Sequence, residues 1–257
     1  KSGKPRISVN LINPDILDYV RLFNNKLSIG LDLVGESLHK RGYRKYSGEA
    51  PLKENLAAGI LIQNDWKKIS LSGGAFLDPM CGSATFLIEA ALIAADIPPT
   101  FLKIKELLDN NSWCLTKFAN YDNDVWNNIL CEQNELAEKG FSHNIPPIVG
   151  FDVSQDAVNI SLPNIAYAGL QNFISVKKEG VAESSFQSTS NHGLMVVNPP
   201  YGKRLGEEED LILLYRELGR FMINNCMDWS ACIFTGNIQL GWHTGLRSWR
   251  QHNWSNG

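Results

Sequence analysis

Gly74-Ala75-Phe76-Leu77-Asp78-Pro79-Met80-Cys81-Gly82-Ser83-Ala84-Thr85 is the stretch on which the fold of this 257-residue chain turns. A short apolar run ends on an acid, crosses a set of small residues and enters Thr85 to Ala95, which is rich in Ala, Leu and Ile. That order predicts a strand, a tight loop and a helix. Gly82 tolerates the unusual backbone angles such a loop requires, and Ser83 and Thr85 are placed to cap the helix.

The pattern repeats outward. Pro146-Pro147-Ile148-Val149-Gly150-Phe151-Asp152 reads as a second strand ending in an acid, followed by a helix from Gln155 to Ala168. Phe173 to Lys177, Leu194 to Val197 and Ser230 to Phe234 read as further strands, with a helix from Glu208 to Asn224 before the last. Toward the amino end, Pro51 to Ile62 opens with Pro at a first helical turn and continues with apolar residues at helical spacing. Asp122 to Lys139 scans as a helix beyond a segment with Pro98-Pro99 and Trp113. Strands alternating with helices predict an α/β fold with a doubly wound, Rossmann-like parallel sheet. Ile7 to Leu33 differs: Ile7 to Leu11 and Leu27 to Leu33 each alternate like strands, which predicts a small strand-containing N-terminal piece.

Composition narrows the setting. A hydrophobic fraction of 44% and a charged fraction of 20% belong to a globular domain. No apolar run approaches the ~18 residues of a membrane span. Cys81, Cys114, Cys131, Cys226 and Cys232 are odd in number and lack any Cys-x-x-Cys pair, which argues against a disulfide framework or a zinc site and for a reducing cytoplasm. The five His residues lack ligand spacing, so no metal is expected. Lys1-Ser2-Gly3-Lys4 is neither an initiator methionine nor a signal peptide, and the chain is expected to be a segment of something longer. With a net charge of −3, any nucleic-acid surface must be local. The densest basic cluster is His39-Lys40-Arg41-Gly42-Tyr43-Arg44-Lys45. Lys40, Arg41, Arg44 and Lys45 offer phosphate-binding groups and Tyr43 a stacking ring, the combination of a single-strand groove; a merely solvated charge run is the competing reading.

Three places carry chemistry. The Asp78 loop has one firm glycine and its acid precedes the turn, whereas a dinucleotide fingerprint has three glycines and an acid about 20 residues later. Without a pyrophosphate cradle, a cofactor without phosphates fits better, and S-adenosylmethionine is such a cofactor. Asp152, at the end of the next strand, has lone pairs for both hydroxyls of a ribose; a helix-capping acid is the plainer alternative. Asn198-Pro199-Pro200-Tyr201 ends the buried run Leu194 to Val197. Proline stops a strand, so Asn198 sits on a stiff ledge where open α/β sheets bind ligands. An ordinary strand-ending turn is the alternative there.

Asp78-Pro79-Met80-Cys81-Gly82-Ser83, Gly150-Phe151-Asp152, Asn198-Pro199-Pro200-Tyr201-Gly202 and Leu38 to Arg44 occur in an order that resembles the bacterial large-subunit ribosomal RNA guanine-N2 methyltransferases with a THUMP domain. The resemblance implies that residues 1–37 are the C-terminal remnant of a THUMP-like RNA-binding domain, 38–50 a basic linker and 51–257 the methyltransferase domain. It also implies that Asp78, Pro79, Met80, Cys81, Gly82, Ser83 and Thr85 form the cofactor loop, that Asp152 holds the ribose, and that Asn198, Pro199, Pro200 and Tyr201 handle the target base. A seven-stranded methyltransferase sheet needs two more strands after Phe234, and the residues there are too few and too polar to supply both, so the sheet is expected to be truncated at its C-terminal end. Two positions depart from the family pattern. Ala84 stands where Gly is usual, which is expected only to narrow the loop slightly. Gly180 stands where an Asp usually meets the adenine amine, leaving Glu179 or Glu183 to substitute. The expected partner is large-subunit ribosomal RNA or its precursor, with guanine N2 the preferred amine; adenine N6 on DNA or RNA, or a non-catalytic RNA-binding module, are the alternatives.

Overall fold

A computed structural model describes residues 10, 14, 16–34, 37–46, 51–104, 114–184, 186–188, 190–202 and 208–254. The expected strand from Ile7 to Leu11, apart from Asn10, and Trp113 lie outside these. The described strands are β1 (Leu17–Phe23), β2 (Lys26–Asp32), β3 (Ala75–Asp78), β4 (Ile148–Asp152), β5 (Ile174–Lys178), β6 (Gly193–Val197) and β7 (Ser230–Ile233). The helices are α1 (Glu54–Gln63), α2 (Trp66–Leu71), α3 (Thr85–Ala95), α4 (Asn123–Phe141), α5 (Gln155–Tyr167), α6 (Glu208–Asn225) and α7 (Ile238–Trp242). The strand and helix expectations from Pro51 onward match these elements to within a few residues, whereas the short α2 and α7 and the strand β1 were not anticipated.

β3 to β7 form one parallel sheet in the order β5-β4-β3-β6-β7. The chain winds outward from β3 to β5, then crosses back to β6 and on to β7. The direction therefore reverses between β3 and β6, the position at which open α/β sheets place their ligands. Alternation along the strands feeds two cores. Phe76, Ile148, Leu194 and Val196 pack with α1, α3 and α5 on one face; Leu77, Phe151, Met195 and Val197 pack with Leu218, Phe221 and Met222 of α6 on the other. Both faces being covered explains why these strands read as continuous apolar runs.

The central helix α3 is buried along nearly its whole length, and apolar residues all round its circumference are what such a position requires. It lies so close to β4 that a Cβ on Gly150 would meet Leu87 Cδ1 at 2.3 Å. β1 and β2 form a separate antiparallel hairpin with register Tyr19↔Gly30, and its Tyr19, Val20, Leu22, Phe23, Leu27 and Ile29 are exposed.

Candidate active site at the carboxyl edge of the sheet

β3 delivers Asp78 to the carboxyl edge, where it is buried and accepts from the Met80 N–H at 3.1 Å. Burial pushes its carboxyl up to about 8; the Met80 bond opposes this and the charge of nearby Asp152 adds to it. At neutral pH Asp78 is therefore largely protonated and can donate as well as accept. The loop then closes against β4: the Cys81 N–H donates to Phe151 O at 3.0 Å and the Gly82 N–H to Asp152 Oδ2 at 3.0 Å. Burial also pushes the Cys81 thiol up, which disfavours the thiolate. Gly82 has φ +50° and open space where a Cβ would stand.

Ala84 caps α3 at φ 67°, ψ 24°, left-handed backbone that an L side chain adopts only with strain of about 1 kcal/mol. Its methyl is fully buried in the core under the loop, which offsets that strain.

Asp152, at the end of β4, uses Oδ2 for Gly82 and Oδ1 for the Ser154 N–H at 2.9 Å. A carboxylate has about four lone-pair positions, so two remain for a ligand. Glu179, half-buried at the end of β5, donates its N–H to Asp152 O at 3.0 Å. Gly180 has extended backbone, and a Cβ there would meet nothing closer than Val153 Cγ2 at 3.6 Å, so a side chain would fit. Glu183 is exposed on the turn that follows.

On the other side of β3, β6 ends in Asn198. Its Oδ1 is buried and has no hydrogen-bond partner. An unsatisfied buried acceptor costs about 1–3 kcal/mol, and native proteins keep few of them. Pro199 is buried and Pro200 half-buried, so the ledge is held rigidly, while Tyr201 is 41% exposed. The Tyr201 ring rests on Gly236, where a Cβ would meet its Cε2 at 2.6 Å. Gly236 follows Thr235, whose hydroxyl is 2.9 Å from the Tyr215 hydroxyl of α6. Nothing in the spacing of the chain singles out Gly236, because only the fold brings the loop after β7 beside Tyr201.

The basic cluster is largely turned inward, which corrects its reading as a row of exposed contacts. Tyr43 is 1% exposed and donates to Glu89 Oε1 of α3 at 2.9 Å, so it has no free face for a base. Arg41 Nε lies 3.5 Å from the same oxygen. Arg44 donates to Glu54 Oε1 at 2.9 Å, Leu52 O at 2.6 Å, Ser83 Oγ at 3.2 Å and Thr85 Oγ1 at 2.9 Å. Three of the five expected RNA contacts thus hold the linker to α1, α3 and the loop from Asp78 to Thr85. Lys40 and Lys45 are exposed. The fully buried Asn164 of α5 completes the tie: Oδ1 accepts from the Lys45 and Tyr46 N–H groups, and Nδ2 donates to Tyr46 O and Ser83 O. Its place beside Pro163, inside a helix, was the only signal for it in the sequence.

An open parallel sheet with this site at its switch point defines the class: a Rossmann-like methyltransferase fold. Residues 41–257 match the model of the family described as RMKL-like, methyltransferase domain, and the chain belongs to that family. It is 44% identical over 252 residues to a protein of Methylococcus capsulatus named ribosomal RNA large subunit methyltransferase K/L, covering 98% of this chain and 33% of that one. A protein of the same name from Cellvibrio japonicus is 44% identical over 248 residues, covering 95% and 32%. The chain thus spans about a third of the length of the curated relatives it matches. Among solved structures it is similar to SMU.472, a candidate methyltransferase complexed with SAH, with TM-score 0.80 and 29% identity over 93% of this chain and 58% of that one. It is also similar to a predicted N6-adenine-specific DNA methylase from Listeria monocytogenes, with TM-score 0.75 and 30% identity over 91% and 57%. Among the described residues no helix is long and apolar enough to cross a membrane, and no group of side chains has the arrangement of a metal site.

Proposed function

We propose that this chain is the methyltransferase domain of a cytoplasmic enzyme that methylates guanine N2 in large-subunit ribosomal RNA or its precursor, with S-adenosylmethionine as donor. The observation that carries the reading is the buried, unpartnered Asn198 Oδ1 at the strand-order reversal. The residues present suit the cofactor: Asp152 keeps two lone-pair positions for ribose hydroxyls, protonated Asp78 can donate, and Gly82 leaves open space over the loop. Pro79, Met80, Cys81, Ser83 and Thr85 hold the loop's shape, and Glu179 is the half-buried acid available to an adenine amine. When bound, S-adenosylmethionine supplies an electrophilic methyl group.

The protein's task is to make a poor nucleophile competent. The lone pair of an exocyclic amine is delocalised into its ring. Asn198 Oδ1 and the Pro199 carbonyl accept the two amine N–H bonds, which favours a pyramidal nitrogen with its lone pair localised. The rigid Pro199-Pro200 ledge keeps both acceptors in place without reorganisation, so positioning and electrostatics supply most of the catalysis. Tyr201 stacks on the base once it has left its helix, a contact worth roughly 1–3 kcal/mol. No general base is needed, because the nitrogen sheds its proton once it is cationic.

The domain reading goes with it: residues 1–37 are the end of a THUMP-like domain, 38–50 a linker and 51–257 the catalytic unit. The exposed apolar residues on the β1–β2 hairpin support this, since an isolated hairpin is marginal in water and needs further strands. The test is incubation of the full-length protein with methyl-labelled S-adenosylmethionine and undermethylated ribosomal RNA, followed by digestion to nucleosides. Labelled N2-methylguanosine is expected, and Asn198→Ala should abolish it without weakening SAH binding. The name of the Listeria structure favours adenine as the second reading; labelled N6-methyladenosine would replace ours with it.

A further inference from the structure

The loop after β7 starts beside the Asn198 ledge, because the Phe234 N–H donates to Val197 O, the carbonyl just before Asn198, at 2.9 Å. It then turns tightly over Thr235-Gly236-Asn237, and the hydrogen bonds of this turn converge on one hydroxyl. Thr235 Oγ1 accepts from the Asn237 N–H at 3.1 Å and donates to Asn237 O at 3.3 Å. A threonine hydroxyl has one proton and two lone pairs. With that proton given to Asn237 O, the Tyr215 hydroxyl is the donor in its 2.9 Å contact with Thr235. Burial pushes the Tyr215 hydroxyl up, the Thr235 bond opposes this and nearby Tyr201 adds to it, so the donor keeps its proton at neutral pH. The Tyr215 ring is itself fixed, fully buried with Leu211 of α6 and Leu240 of α7. At the other end of the turn Asn237 caps α7, its Oδ1 accepting from the Gln239 and Leu240 N–H groups at 3.0 and 3.4 Å. The turn is thus pinned by α6 through Thr235 and by α7 through Asn237. Gly236 stands between the two pins, against Cε2 and Cδ2 of Tyr201. A ring that is 41% exposed is held from its covered side, and Gly236 is on that side.

Granted that Tyr201 stacks on the target base, the reading on which this rests, we infer that Tyr215 is a positioning residue for methyl transfer: through Thr235 it sets the turn whose Gly236 backs the Tyr201 ring. Its hydroxyl is spent on Thr235, so it acts on the base only through Tyr201. A small tilt of the stacking ring carries the amine off the line to the methyl group, which is how a residue away from the chemistry alters the rate.

The test is a double-mutant cycle in the full-length protein, read as kcat/KM for undermethylated ribosomal RNA at saturating S-adenosylmethionine. Tyr215→Phe keeps the buried ring and removes only the hydroxyl; it should lower kcat/KM roughly 2- to 10-fold, the worth of one hydrogen bond. In a Tyr201→Ala background the same substitution should leave kcat/KM where Tyr201→Ala put it, because the ring being positioned is gone. Thr235→Val should lower kcat/KM at least as far as Tyr215→Phe, and Thr235→Ser, which keeps the hydroxyl, should return most of the wild-type value. SAH affinity by calorimetry should match wild type throughout. Should Tyr215→Phe melt below the assay temperature, Thr235→Val against Thr235→Ser carries the same cycle. Wild-type kcat/KM in Tyr215→Phe, losses that multiply in the double variant as an independent folding role would give, or an equal loss of SAH affinity would overturn the positioning role. Wild-type kcat/KM in Tyr201→Ala would instead remove the base-stacking reading, and the role of Tyr215 with it.

Discussion

Asp78 is held largely neutral by its surroundings, and that makes stability depend on pH in a definite direction. Its folded value of about 8 lies above the ordinary 3.8 of an unfolded chain. Its contribution is therefore complete below the unfolded value and is lost as pH rises through the interval up to about 8, where the folded carboxyl must ionise in a buried place. Asp78→Asn removes that loss. Melting temperatures measured from pH 4 to pH 9 should show the variant gaining on wild type as pH rises; parallel curves would contradict the assignment. Gly236 is the second residue with a sharp consequence. In Gly236→Ala the new methyl forces the Tyr201 ring aside. If stacking by Tyr201 is worth ~1–3 kcal/mol, methyl transfer should fall roughly 5- to 150-fold. If the Asp78 loop holds the cofactor, SAH affinity should stay as it was, because that loop closes against β4, on the other side of β3 from this contact.

At the scale of elements, the linker and the loop from Asp78 to Thr85 are tied together, because Asn164 of α5 bonds both. Asn164→Ala strands the Lys45 and Tyr46 N–H groups and the Tyr46 and Ser83 carbonyls. Leaving such groups unpaired costs about 1–3 kcal/mol for those that water cannot reach. Urea unfolding should show a loss of about 3 kcal/mol, and, if the loop that contains Ser83 holds the cofactor, calorimetry should show a weaker SAH affinity. A loss of stability without any change in affinity would mean that the tie serves folding alone. The same elements show where sequence reading ends. The strands and the longer helices from Pro51 onward were legible, since continuous apolar runs and helical periodicity are local, whereas the short α2 and α7 were not. Arg41, Tyr43 and Arg44 looked like an exposed basic surface, since a charged or aromatic residue carries no mark of what lies behind it. Only the packing of α3 places Glu89 beneath Tyr43, and only α1 brings Glu54 to Arg44.

Over the whole molecule, ligand and fold are linked. If the loop, Asp152 and Glu179 hold S-adenosylmethionine or SAH, a ligand at 100 times its dissociation constant should stabilise the folded state by about 2.7 kcal/mol. A thermal unfolding series with SAH should then show a rise in midpoint that grows with the logarithm of its concentration, and Asp152→Ala should largely remove it. The sequence alone determined the α/β alternation, the two strand-ending acids and the Asn198 ledge, because each is written in neighbouring residues and obeys local rules of backbone and burial. Tertiary structure alone decided that β3 is flanked by β4 and β6, so that Asp78, Asp152 and Asn198 share one edge. It also decided that Asn198 Oδ1 is buried without a partner, that Gly236 supports Tyr201, and that half of a basic cluster is internal scaffold. These depend on contacts between residues tens to more than a hundred positions apart, and such contacts exist only once the chain has closed.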